Sequence, residues 1–381
     1  MWCGWRWRGS ACWRTRSAEG VPPPRRNGGR RGGSPAAPAR RPCSTRPDQG
    51  SRSGRRPLHR RPLLAAALAA AALPRATAAE AAFPGRAVTL VVAFPPGGQG
   101  DVVARPVATG LERLWRQPVP VANRAGASGE IGYASVARAA PDGHTLLMGL
   151  ASLAVIPEAA RLFGRQAAYE IDQFAPIALF TADPTFLAVP AAAPWGSLEE
   201  FLAEARRRPG AIAYSSSGHY GALHLPMAML TTAAGIDLLH VPFQGGGPAL
   251  TALLSGQVMA MASGPGPLTP HLRSGALRVL ASWGAHRIPG FEAVPTLRER
   301  GFTEAEYYIW AGVFAPAGTP APLQAALRQG MAAVAADPEL RRALAAGGNG
   351  LDIREGEAFA AFFREDTARL VRAVQRIGKV E

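Results

Sequence analysis

The sequence predicts an α/β protein, and three observations carry the prediction. Beyond residue 83, short β-branched or apolar runs alternate with stretches whose apolar residues recur at helical spacing. The connections are short and punctuated by Gly and Pro, which suits strand-helix-strand units and largely parallel sheets. Glycine and small polar residues gather at the ends of several strands, where open α/β sheets present loops and helix N-termini to ligands.

Ala87 to Phe94 reads as a strand because AVTLVVAF is β-branched and apolar and Pro95-Pro96-Gly97-Gly98 ends it. Asp101 to Leu114 follows as a helix, Pro118 to Ala122 as a short strand and Gly129 to Ala139 as a helix. The turn Pro141-Asp142-Gly143 introduces the strand Thr145 to Gly149, and Phe174 to Phe180 and Thr185 to Val189 are strands. Ser197 caps the helix Ser197 to Arg207, with Glu200 three residues later. Strands Ala211 to Tyr214, Leu238 to Pro242, Val258 to Ala262 and Leu277 to Ser282 then alternate with helices Ala222 to Ala234, Pro248 to Ser255 and Pro267 to Ser274. Trp310 to Ala315 is a strand, and the helices Pro320 to Ala336 and Glu357 to Ile377 close the chain.

The net charge of +15 over 381 residues suggests a nucleic-acid partner until its distribution is read. Met1 to Ala79 holds 17 Arg against Glu19 and Asp48, leaving 25 basic and 25 acidic side chains beyond it, so the remainder is neutral and no nucleic-acid partner is expected. All three cysteines, Cys3, Cys12 and Cys43, lie in the same leader, which excludes a disulfide framework and a Cys-ligated metal site downstream. Residues 1–55 have the Arg, Gly, Pro and Ser composition of a disordered segment, or of a start site placed too far upstream. Residues 56–79 combine Arg56, just after Arg55, and Arg60-Arg61, an apolar run from Pro62 to Pro74 and Ala76-Thr77-Ala78-Ala79, the three parts of an export signal with cleavage near Ala78 or Ala79. The order Arg60-Arg61-Pro-Leu-Leu leaves Sec and twin-arginine export both open.

The loops Pro95 to Asp101, Ala151-Ser152, Ser215 to Gly221, Gln244 to Gly247 and Ser263 to Gly266 all fall at strand ends and imply one shared cleft. Their chemistry is that of an anion cradle, since Gly permits close backbone approach and a helix N-terminus favours a carboxylate. Gly97-Gly98-Gln99-Gly100-Asp101 lacks both the G-x-G-x-x-G spacing and a Walker Gly-Lys-Ser/Thr; its simplest reading is a strand-to-helix turn with Asp101 as the cap. Ser215-Ser216-Ser217-Gly218 lacks the G-x-S-x-G elbow, so no Ser nucleophile is expected. His219 and His224 match no metal spacing, and His224 reads as a hydrogen-bonded packing residue at a helix start before it reads as catalytic. Trp310 reads as core or hinge packing, and Arg206-Arg207-Arg208 as a solvated helix end. No metal or organic cofactor is indicated.

Seven stretches in order resemble the substrate-binding receptors of the tripartite tricarboxylate transporter family, also called Bug-type receptors. They are FPPGGQGDVVAR from Phe94, VANRAGASGEIG from Val121, APDGHTLLMG from Ala140, SSSGHYGALHL from Ser215, HVPFQGGGPALTALLSGQV from His240, VPTLRERGF from Val294 and FAPAGTPAP from Phe314. The resemblance runs from about Phe83 to Ile377. It implies a type II periplasmic-binding-protein fold, two hinge-connected sheets with an interlobe cleft, one lobe from 83–183 and 310–381 and the other from 184–309. It further implies a periplasmic receptor, not an enzyme, that closes on a small carboxylate and hands it to membrane transporter subunits; a monomer is expected. The other readings are an exported α/β enzyme acting on a carboxylate or ester, and a ligand sensor for a signalling kinase.

Carried onto matching positions, the resemblance points to Phe94, Pro95, Gly97, Gly98, Gln99, Asp101 and Ser152 in the first lobe as ligand-binding residues. In the second lobe it points to Ser216, Gly218, Tyr220, His224, Phe243, Gly245 and Gly246. The chain departs from relatives at Gln99-Gly100, where Ser-Thr is common, at Tyr220 to Leu223, and at Phe243-Gln244, where Tyr-Lys is usual. These exchanges remove hydroxyls and a cation and add apolar surface, so the expected ligand has one carboxylate and a less polar remainder.

Overall fold

The computed structural model describes residues 83–380; the expected leader and export signal lie outside them. Two mixed sheets organise the described chain. The first has the order β11-β4-β10-β3-β1-β2, built from β1 (Thr89–Val92), β2 (Val121–Asn123), β3 (Thr145–Leu150), β4 (Phe174–Pro184), β10 (Tyr308–Pro316) and β11 (Arg354–Glu355). The second has the order β7-β6-β8-β5-β9, from β5 (Phe186–Pro190), β6 (Ala213–Ser216), β7 (Leu239–Pro242), β8 (Ala260–Ser263) and β9 (Leu277–Ser282).

The expectation of largely parallel sheets is corrected. β1 pairs in parallel with β2 and β3, and β6 with β7 and β8, but β4, β5, β9, β10 and β11 all pair antiparallel. The reason is the double crossing. β4 runs out of the first sheet and β5 enters the second after one residue, Thr185; the chain returns after β9 into β10, which lies antiparallel between β3 and β4. The two crossings touch, since the Trp283 N–H donates to Thr185 O (2.9 Å) and the Tyr307 N–H to Trp283 O (2.9 Å).

Helices cover the sheets: α1 (Gln99–Trp115), α2 (Glu130–Ala137), α3 (Ser152–Leu162), α8 (Ala321–Ala336), α9 (Pro338–Ala346) and α10 (Gly356–Ile377) on the first. The second carries α4 (Leu198–Arg207), α5 (His224–Ala234), α6 (Gly246–Leu254) and α7 (Pro265–Arg273). Two helices, α3 and α9, were not expected. Pro157 sits inside α3 and its segment is buried nearly all round, so no amphipathic stripe marks it. Asp337 caps α9 by accepting the Glu339 N–H, with Pro338 as the first helical residue.

Ser197 caps α4 as expected, with its Oγ accepting from the Glu200 N–H (3.2 Å), while Glu200 reaches back to the Gly196 N–H (2.6 Å) rather than to Ser197. Asp142 is the turn residue, its Oδ1 accepting from the His144 N–H (3.0 Å). Trp310 is fully buried among Phe314, Phe362 and Phe363, and its Nε1 donates to Asp366 Oδ2 (2.8 Å). That packing fixes α10 across β10 and makes the return crossing rigid.

Candidate functional site

The first-lobe wall of the cleft is backbone held in place by an ionised side chain. α1 opens at Gln99, two residues before the expected start, directly after the Gly97-Gly98 turn and without a side-chain cap. Asp101 lies in the first turn and reaches backward. Its Oδ2 accepts from the Gly97 N–H (3.1 Å) and Arg105 Nε (2.8 Å), and its Oδ1 from Arg105 Nη2 (2.8 Å) and Asn123 Nδ2 (3.1 Å). Asn123 Nδ2 also donates to Phe94 O (2.9 Å), so one cluster ties the end of β1, the Gly loop and β2 together. Burial alone would raise the Asp101 carboxyl, but the bonds from Arg105, Gly97 and Asn123 outweigh it and hold the group below the usual carboxylate range.

The second-lobe wall faces this loop at backbone contact. α6 opens at Gly246 behind Gly245, again without a side-chain cap. A methyl on Gly98 would stand 3.7 Å from both Gly246 N and Gly247 N, and one on Gly245 would stand 2.5 Å from Pro95 Cδ. Thus two helix N-termini, each with first-turn N–H groups that no intrahelical carbonyl can take, point at one place from opposite lobes.

Beside them the Ser215 to Gly221 loop is folded on its own polar groups. Ser216 Oγ lies 2.6 Å from His240 Nε2 and accepts from the Gly218 N–H (3.1 Å). Ser217 Oγ accepts from the Leu223 N–H (3.3 Å), and the Tyr220 N–H donates to His224 Nδ1 (3.1 Å). His224 and His240 pack with ring centroids 4.3 Å apart and their planes tilted by 41°, with His219 4.8 Å from His240 and Tyr214 stacked on His240 at 5.0 Å. Burial first, then the neighbouring His240 and His219, hold His224 well below the usual histidine value; burial, then His219, lowers His240 to about 4. Both rings are therefore neutral at physiological pH, and His224 is the hydrogen-bonded packing residue that its sequence position suggested.

Between the walls lies a chamber of about 10 Å³, room for about one water. Phe94, Gly98, Gln99 and Gly100 line it with Leu150 from the first lobe and Ile309 from the return crossing. Ser217, Ala222, Leu223 and Gly246 complete it from the second lobe. No Lys, Arg, His, Asp or Glu is among these residues. Pro95 and Gly97 line a separate surface cavity with Gly247. Asp101 is turned to its brace, and the fully buried Ser152 Oγ meets the Tyr133 hydroxyl (2.8 Å). Phe243 is half-buried, its N–H donating to Ser216 O (3.1 Å). Of the residues expected at the site, the structure brings Phe94, Gly98, Gln99 and Gly246 to the chamber, and Pro95, Gly97, Asp101, Ser152, Ser216, Gly218, Tyr220, His224, Phe243 and Gly245 do not line it.

Three contacts hold the lobes shut. Ser128 Oγ donates to His219 O (2.8 Å), and a methyl on Gly218 would stand 2.4 Å from that hydroxyl. The Tyr220 hydroxyl donates to Gly378 O and accepts from the Val380 N–H (3.0 Å), tying the second lobe to the end of the chain. To reach it Tyr220 adopts the left-handed region (φ 54°), which only a firm partner sustains in a bulky residue. Gln99 Nε2 donates to Asn349 Oδ1 (2.7 Å) within the first lobe, and it is this pair, packed on Gly264 and Gly266 at the start of α7, that meets the second.

Asn349, Ser128, Ser217 and His240 were missing from the residues expected at the site. Asn349 stands 250 positions from its partner and carries no local signal. Ser128 and His240 sit in glycine-bearing motifs of the cleft loops, where a lone Ser or His carries no signal of its own.

The family model described as "Tripartite tricarboxylate transporter family receptor" matches residues 103–379. The periplasmic binding protein BugD shares 30% identity at a TM-score of 0.73, covering 78% of this chain and 99% of that one. MatC of Rhodopseudomonas palustris, solved with bound malate, shares 31% at 0.71, covering 77% and 100%. An R. palustris protein solved with adipate shares 29% at 0.73, covering 78% and 98%. With two sheets joined by a double crossing, a cleft floored by glycine turns and this likeness over nearly the whole length of solved relatives, the chain belongs to the tripartite tricarboxylate transporter family of receptors.

Proposed function

We propose that this chain is a periplasmic receptor that closes on a small carboxylate and delivers it, as a monomer, to a tripartite tricarboxylate-type membrane transporter. The observation that carries the reading is the pair of uncapped helix N-termini, α1 and α6, facing each other across a chamber without a charged side chain. Such an arrangement stabilises one negative charge through backbone N–H groups and helix dipoles. MatC and its adipate-binding relative each hold a dicarboxylate, which supports the ligand class. In this chain Phe94, Leu150, Leu223 and Ile309 make the rest of the chamber apolar, so we assign a ligand with one carboxylate and a less polar remainder. Pro95, Gly97, Asp101 and Ser152 act as the frame of this site in our reading, and Ser216, Gly218, Tyr220, His224, Phe243 and Gly245 as the part that moves with the second lobe.

Because the closed chamber holds about one water, entry requires the lobes 83–183 with 310–381 and 184–309 to part. A ligand touching both walls favours the closed form by its differential affinity. Among the described residues no helix is long and apolar enough to cross a membrane. The test is native mass spectrometry of the purified chain, followed by calorimetric titration with mono-, di- and tricarboxylates. One-to-one binding of a monocarboxylate, recovered at unchanged mass, is expected. Micromolar or tighter citrate binding refutes the ligand assignment, and recovery of an altered ligand makes the chain an enzyme.

A further inference from the structure

Of the three contacts between the lobes, two gain hydrogen bonds when the lobes meet and the third gains none. Ser128 bonds to backbone of the second lobe, and Tyr220 to backbone of the first. Gln99 and Asn349 bond only to each other, inside the first lobe (2.7 Å). Their outer faces are covered by second-lobe glycines. A methyl on Gly264 would stand 2.6 Å from Gln99 Oε1, and one on Gly266 would stand 2.8 Å from Asn349 Nδ2 and 3.0 Å from Gln99 Oε1. Those same two atoms, one acceptor and one donor, have no hydrogen-bond partner and no accessible surface.

The pair is fixed in place. Gln99 opens α1, and the Asn349 N–H donates to Leu344 O (3.0 Å). The next N–H, of Gly350, donates to Asp183 Oδ1 (2.8 Å), and Gly348 lies against the Thr269 hydroxyl of α7. Burial, with the Gly350 N–H opposing it and Asp352 adding to it, pushes the Asp183 carboxyl up to about 7. With the lobes apart, water can reach both amides once Gly264 and Gly266 no longer cover them. Closing removes that water and returns no hydrogen bond, which is the costly case for a buried polar group. The packing on the glycines therefore joins the lobes while the amides it covers oppose their closing.

We propose that Gln99 and Asn349 are positioning residues that hold the empty receptor off its closed state, so that their two unanswered amide atoms set how much differential affinity a ligand must supply to close it. The inference rests on the reading that the lobes part around a ligand. Its test uses no ligand, so its failure is distinct from a failure to bind a carboxylate.

The measurement is solution scattering of the ligand-free chain, with Gly245→Ala, whose lobes stop short of closure, marking the open radius of gyration. Gln99→Met with Asn349→Leu keeps the packing and removes both amides. It should raise the closed-to-open ratio at least tenfold and lower the radius below that of the unmodified chain. Asn349→Leu alone leaves the whole Gln99 amide unanswered on closing and should move the radius the other way. Adding Gly245→Ala to the double variant should restore the open value, which a merely structural change would not do. If the double variant loses its circular dichroism, Gln99→Ala with Asn349→Ala makes the same test with smaller side chains. The proposal is overturned if removing both amides leaves the radius unchanged or larger, if Asn349→Leu alone lowers it as far, or if Gly245→Ala does not reverse the fall.

Discussion

The two walls of the interlobe cleft are stabilised by opposite electrostatic means. The first is braced by a charge, since ionised Asp101 gathers Gly97, Arg105 and Asn123 around a turn that exposes only backbone to the chamber. The second is braced by the absence of charge, since neutral His224 and His240 pack ring against ring and hydrogen-bond to position the Ser215 to Gly221 loop. One wall weakens if a charge is removed, the other if a charge is added. Acid acts on both, protonating the carboxylate of one and the imidazoles of the other.

The largest effect is expected from denying the walls their contact. Gly245→Ala puts a methyl 2.5 Å from Pro95 Cδ, so the lobes stop short of closure. Affinity for the cleft ligand should fall at least 100-fold, about 3 kcal/mol, with unchanged circular dichroism. Retained affinity would mean that closure does not contribute to binding.

Acidification comes next and separates the walls. His240 titrates near 4 in the folded chain and near 6.5 unfolded, so the unfolded chain binds more protons between those values. Stability present above about 6.5 is therefore lost as pH falls toward 4, on the order of 1–2 kcal/mol from His240, whose ring is partly screened by solvent. His224 acts in the same direction. Asp183, raised to about 7, acts in the opposite sense, contributing stability at low pH that is lost as pH rises from about 4 to 7. Chemical denaturation from pH 4.5 to 8 in an Asp183→Asn background should thus show a steeper acid loss than the unmodified chain. An equal slope would remove either the Asp183 shift or its sign.

Asp101→Asn keeps the shape of the first brace and removes its charge. It should cost about 1–3 kcal/mol in denaturant stability and loosen the ligand several-fold. Unchanged values for both would take Asp101 out of the site's frame. The smallest effect is expected from Tyr220→Phe, which deletes the bonds to Gly378 and Val380 but keeps the ring. A shift of about 1 kcal/mol toward the open form should appear as a larger radius of gyration in ligand-free solution scattering.

The glycine turns were legible in sequence because each carries a local signal: a β-branched run, a Pro-Pro-Gly-Gly stop, a resumption of helical spacing; the two-lobed plan was legible only through the family resemblance. Leu277–Ser282 was placed to the residue, since its alternation is bounded by Gly275 and the buried Trp283. The long strand β4 was cut short at Phe180, because Thr181 to Pro184 is polar or small yet is held by pairing with Tyr308 to Ala311. The same nonlocality hid the contacts that matter for closure. Gln99 reads as a simple departure from Ser until Asn349 is set beside it, and Tyr220 as added apolar surface until its hydroxyl is found on the chain's end. The sense of the crossing strands was misjudged because strand-helix alternation is silent about a chain that leaves one sheet and comes back.

The Tyr220 contact has a consequence for anyone producing this protein. Its partners, Gly378 O and the Val380 N–H, directly follow α10, which ends at Ile377. An affinity handle or fluorescent fusion placed close behind Val380 would therefore pull on the segment that joins the lobes. A preparation tagged there should report weaker ligands than an untagged one, so comparative binding work is best done with this segment left unmodified.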